Sequence, residues 1–116
     1  MALVLCTGAD RSLVETRKLL LEDAGHKVVT AVDESALKKV CEQHAFDVAV
    51  IGQTVSAAEK LRIFSIIRQL RPSAKVLELY QIYSRKTLPT ADDWLEVPVD
   101  VPLELADRVT ALAAKA

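Results

Sequence analysis

Residues 19–52 read LLLEDAGHKVVTAVDESALKKVCEQHAFDVAVIG, and their order of patterns decides the fold. The leading leucines close a helix that starts near Arg11. Leu13, Arg17, Leu20 and Ala24 recur at helical spacing, and the Leu19-Leu20-Leu21 triplet widens the apolar face. Gly25 stops this helix where a positive φ is wanted. Lys27 to Val32 is rich in β-branched residues and reads as a strand. Asp33 caps a second helix with Ala36, Leu37, Val40 and Cys41 turned inward. Asp47 to Ile51 is almost wholly apolar, as a strand covered on both faces must be.

The same alternation extends in both directions. Upstream, Leu3 to Cys6 is a short apolar run, followed by the turn and cap Thr7-Gly8-Ala9-Asp10. Downstream, a helix from about Ser56 to Leu70 is expected to place Leu61, Phe64, Ile67 and Leu70 inside, and Pro72 closes it. Val76 to Tyr80 and Trp94 to Val97 read as the fourth and fifth strands. Pro102 opens a last helix with Leu105, Val109 and Leu112 at helical spacing. Alternating strands and helices predict an α/β fold with helices on both faces of a parallel sheet. Five strands favour the flavodoxin-like order 2-1-3-4-5. Gln81 to Thr90 must supply the whole fourth crossover, so the helix there is shortened or missing. No linker or repeat divides the chain, and residues 1–116 are read as one domain.

Composition narrows the function. The net charge of −1, from 15 basic and 16 acidic residues, argues against nucleic acid or an anionic membrane as a partner. No apolar stretch approaches the ~20 residues of a membrane helix, and the N-terminus lacks a signal-peptide pattern, so a cytoplasmic location is expected. Cys6 and Cys41 lie in apolar stretches and are expected to be buried and reduced. Cys41 and His44 share a helix at metal-binding spacing, but two ligands are too few, and His26 is read as a surface residue. No metal or cofactor is expected.

Over almost its whole length the chain resembles the receiver domains of bacterial response regulators. LLLEDAGHKVVTAVDESALKKV (19–40) is similar to that family's first helix, second strand and second helix. HAFDVAVIG (44–52) resembles the run leading to the phosphoacceptor. RIFSIIRQLRPSAKV (62–76) resembles the third helix and fourth strand, and ADDWLEVPV (91–99) the fifth strand and its proline turn. The resemblance implies an acceptor aspartate at Gly52, an acidic magnesium cluster at Gly8 and Ala9 beside Asp10, a hydroxyl at Tyr80 and a lysine at Val97. Of these features only Pro98, after Val97, matches the family's turn. Nucleophile, metal cage, hydroxyl and cation are thus all absent, and phosphoryl transfer has no route.

The expected activity is therefore that of a non-catalytic pseudo-receiver in phosphorelay-type signalling. It would act through a protein partner, or a second copy, on the face of the fourth crossover, fifth strand and last helix. Tyr83, Arg85, Lys86, Trp94 and Val99 are the candidate contacts, because an exposed aromatic beside arginine is a common anchor. With Tyr80 filling the pocket, Trp94 is expected to be held outward. Two alternatives stand beside this reading. Cys6, before a loop and helix, could be a thiol nucleophile or phosphocarrier. The altered pocket could also serve a small-molecule sensor.

Overall fold

The computed structural model describes residues 2–97 and 103–115. The elements run β1 (Leu3–Thr7), α1 (Arg11–Asp23), β2 (Lys27–Ala31), α2 (Glu34–Gln43), β3 (Val48–Ile51), α3 (Ala57–Leu70), β4 (Lys75–Gln81), β5 (Asp93–Val97) and α4 (Glu104–Ala113). All strand pairs are parallel and the order is β2-β1-β3-β4-β5, as the alternation predicts.

Strand pleating splits the interior into two apolar layers. Val4, Cys6, Val48, Val50, Leu77, Leu79, Leu95 and Val97 face α1 and α4. Leu5, Ala49, Ile51 and Val76 face α2 and α3. The helix starts are capped as their sequences suggest. Asp10 accepts from the amides of Ser12 and Leu13, Asp33 from Ala36, and Ser56 forms a reciprocal pair with Glu59. Gly25, with φ of 95°, follows the end of α1.

Three expectations about inward faces need correction. On α1 the buried positions are Val14 and Leu21, not the Leu13 and Leu20 stripe, which is rotated to the flank; Leu19 is exposed. On α3 Leu61 and Leu70 are exposed, because Lys60 and Ile67 take the inward row. His26 is buried, not superficial. Its Nδ1 accepts from the Ala2 amide at 3.2 Å. Its Nε2 lies 2.9 Å from the Thr110 hydroxyl, which itself donates to the Ala106 carbonyl. The ring is therefore neutral, with its proton on Nε2.

Between β4 and β5 no helix forms; residues 82–92 cross as turns and extended chain. Buried Glu78, on β4, holds this segment down. Its carboxylate accepts from the Thr87 amide at 2.9 Å and the Leu88 amide at 2.8 Å. It also pairs with Lys60 Nζ at 2.8 Å, and that ammonium donates to the Leu79 carbonyl at 2.7 Å. Leu88 is driven into the core, where its carbonyl accepts from the indole N–H of Trp94 at 2.9 Å. Asp92 secures the far end, accepting from the Val76 amide and pairing with Arg68. Beside it, Arg108 of α4 donates to both the Trp94 carbonyl and Asp93, whose carboxylate in turn accepts from the Trp94 amide.

Candidate functional site

In sheets of this order, ligands and chemistry gather beyond the carboxyl ends of the strands. Here those ends carry Thr7 and Gly8 from β1, Gly52 from β3, Gln81 from β4 and Val97 from β5. Gly52 donates its amide to the Thr7 carbonyl at 2.8 Å, which draws the first and third strand ends together. A Cβ added at Gly52 would lie 3.1 Å from Arg17 Nη1, 3.3 Å from the Thr7 carbonyl and 3.5 Å from Gly8 Cα. The space above the end of β3 is therefore occupied by a guanidinium. Arg17 is held there by a hydrogen bond to Gln53 Oε1. Burial pulls its pKa below the ordinary arginine value, partly offset by Cys6 and Asp10.

The remaining predicted pocket residues fall as follows. Asp10 is committed to capping α1, so its carboxylate is turned to backbone amides. A Cβ added at Gly8 would lie 3.4 Å from Val14 Cγ2, and Ala9 is exposed. Val97 is buried in the layer under α1 and α4. Tyr80 does not fill the space above Gly52, contrary to expectation. Its side chain stands on the opposite face of the sheet, with its ring centroid 5.8 Å from Lys86 Nζ. Pro98 and Val99 lie outside the described residues. Among the described residues no three His, Cys, Asp or Glu side chains are grouped as a metal would require.

The thiol alternative also meets the structure. Cys6 is 1% exposed, and its side chain belongs to the apolar layer. Burial pushes the thiol pKa up to about 12, despite the nearby Arg17 charge. A nucleophilic thiolate needs the reverse of both conditions, so Cys6 is corrected to a core residue. Cys41 is buried as well, and both thiols are free, as the apolar context suggested.

The candidate contact surface is more varied than expected. Tyr83 is 98% exposed, and Arg85 and Lys86 are exposed beside it. Trp94 is half-buried and clamped beneath the crossover by its bond to Leu88, with Lys86 Nζ 5.0 Å from its ring centroid. A cation thus bridges the rings of Trp94 and Tyr80.

Two arrangements escaped sequence reasoning. The Lys60–Glu78 pair was signalled only by a glutamate inside the apolar run VLELY and a lysine seven residues before Ile67. Arg17 was read as part of a helical stripe, and nothing local shows that its head reaches the end of β3.

No family model and no curated protein matches the chain. Solved structures do match. A response-regulator receiver-domain protein from Clostridium thermocellum has a TM-score of 0.84 at 20% identity, covering 99% of this chain and 96% of its own. A protein from Burkholderia pseudomallei described as pilus assembly-related has a TM-score of 0.75 at 25% identity, covering 100% and 92%. The pilus assembly protein CpaE from Burkholderia thailandensis, so described, has a TM-score of 0.74 at 23% identity, covering 98% and 99%. The structural neighbours include response-regulator receiver domains at nearly full coverage, and the chain has the fold of those signalling domains.

Proposed function

We propose that this chain is a receiver-fold docking module that works without phosphoryl transfer. The observation that carries the reading is the end of β3, where Gly52 supplies no nucleophile and the Arg17 guanidinium occupies the space above it. Phosphoryl transfer on this fold needs a carboxylate nucleophile and a divalent cation held by further carboxylates. A fixed guanidinium repels that cation, and Asp10 is engaged elsewhere. The module catalyses no reaction and holds no cofactor.

Its work falls to the surface of the fourth crossover. Tyr83 offers an aromatic anchor with Arg85 and Lys86 alongside, on a segment fixed to the sheet through Glu78. The partner is a protein, or a second copy of the chain, met in the cytoplasm. Two structural neighbours are described as pilus-assembly proteins, and an assembly machine is a setting in which a docking module serves without phosphorylation. Among the described residues no helix is long and apolar enough to cross a membrane, which fits a peripheral part of such a machine.

The test is a titration with magnesium and beryllofluoride, an aspartyl-phosphate mimic, followed by Trp94 fluorescence and amide NMR. No saturable change is expected. A magnesium-dependent, saturable shift of resonances around Thr7, Gly52 and Asp10 would refute the reading.

A further inference from the structure

A groove of about 530 Å³ opens between α1, α4 and the ends of β4 and β5, on the α1 and α4 face of the sheet, with Ile82 and Tyr83 of the first crossover turn on its rim. That volume is within the range of about 300–1,000 Å³ of small-molecule sites. Its walls are aliphatic: Leu13 and Leu20 come from the flank of α1, Leu79 and Leu95 from the sheet, and Leu105 from α4. The rotation of the α1 stripe noted above leaves Leu13 and Leu20 half-buried, facing this space instead of the core. Arg17 lines the same groove.

The charge in the groove is one-sided. Among the described residues lining it there is no carboxylate, although acidic residues outnumber basic ones in the chain. Nor does any described carboxylate come within ion-pair distance of Arg17. The described hydrogen bond of its guanidinium is to Gln53, a neutral acceptor, and a guanidinium has five donors. A half-buried cation with spare donors at the end of an aliphatic groove is complementary to an anionic head on an apolar tail.

We propose that this groove binds a small aliphatic carboxylate, its head on Arg17 and its chain along Leu13, Leu20 and Ile82. The site goes beyond the docking reading and is tested separately from it, because its anchor is Arg17 and it requires neither a protein partner nor phosphoryl chemistry, although Tyr83 lines the groove as well. Recognition needs no covalent step. The carboxylate replaces water at the guanidinium and the tail replaces water along the leucines.

Octanoate titrated into the 116-residue chain, followed by amide NMR, tests the proposal, with 1-octanol as the uncharged comparator. Saturable shifts are expected at Leu13, Thr16, Leu20 and Leu79, with octanoate bound about tenfold or more tighter than octanol, the scale of one hydrogen-bonded charge. Arg17→Gln is expected to bring octanoate down to the level of octanol. Leu20→Glu, which leaves Arg17 in place and sets a carboxylate on the groove wall, is expected to abolish octanoate binding in a folded protein. Equal affinity for acid and alcohol overturns the proposal. So does an absence of shifts, shifts centred on another part of the molecule, or binding that survives Leu20→Glu.

Discussion

Removing the carboxylate of Glu78 should destabilise the protein more than removing its partner ammonium. Glu78→Leu leaves Lys60 with only the Leu79 carbonyl, and it strips the Thr87 and Leu88 amides of their acceptor. Breaking a buried ion pair from one side costs about 3–5 kcal/mol. Each buried donor left unsatisfied costs about 1–3 kcal/mol, although water entering the loosened segment recovers part of this. A net loss of about 4–6 kcal/mol is therefore expected, a large share of the ~5–15 kcal/mol typical of a domain. Lys60→Met leaves a carboxylate that still accepts from two amides, which places it at the lower end of the range for a pair broken from one side, about 3 kcal/mol. Adding Lys60→Met to Glu78→Leu should restore only part of the stability, because it removes the orphaned ammonium but leaves the Thr87 and Leu88 amides without their acceptor. Urea unfolding followed by Trp94 fluorescence measures all three. A Glu78→Leu loss below about 1 kcal/mol, or a Lys60→Met loss exceeding it, would refute the account of the crossover as a segment held by one carboxylate.

His26 should make the protein acid-sensitive. Burial, helped by nearby positive charge, lowers its folded pKa, so the unfolded chain takes the proton first. The stability it contributes is complete above the unfolded value of about 6.5 and is lost as pH falls through the depressed folded value. Urea midpoints from pH 8 to 5 should fall, and His26→Gln should flatten this window; an unchanged slope would exclude His26 as the source. Both thiols should resist a disulfide reagent at pH 8 until urea unfolds the chain. Rapid labelling of native Cys6 would contradict its raised pKa of about 12. Gly52→Asp should fail to create a phosphoacceptor, because its Cβ would lie 3.1 Å from Arg17 Nη1 and its carboxylate would be set beside that guanidinium, which should pair with it. Intact-mass analysis after acetyl phosphate and magnesium should show no adduct, and an adduct would mean that the pocket lacks only its nucleophile.

The sheet order was legible because each strand is a short apolar run whose neighbouring helix carries its own cap, as at Asp10, Asp33 and Ser56. Local chemistry and global pattern agree there. That the crossover helix would be shortened or missing was legible too, from the length of Gln81 to Thr90. In the pocket, residue type was legible, as at Gly52, which has no side chain. Side-chain direction was not. Tyr80 and Leu79 are neighbours in sequence but face opposite layers, and the reading put Tyr80 on the wrong side of the mouth. Polar side chains that reach across elements, such as Arg17 to Gln53 and Lys60 to Glu78, carry no periodic signal, because their partners are 36 and 18 residues away. His26 was lost for the same reason, since both its partners come from other elements.

The contacts around Trp94 also bear on how the molecule meets its own kind. Among the described residues β5 pairs only with β4, so its other side is an open margin where a foreign strand could continue the ladder. At Trp94 that margin is closed from within. The amide is taken by Asp93, the carbonyl by Arg108, and the two side chains bind each other at 3.1 Å. A strand arriving there finds neither donor nor acceptor. Strand-to-strand fusion is thus blocked where β5 begins. Any pairing of two copies at that point must proceed through side chains, with the geometry of a reversible contact and not of a shared sheet.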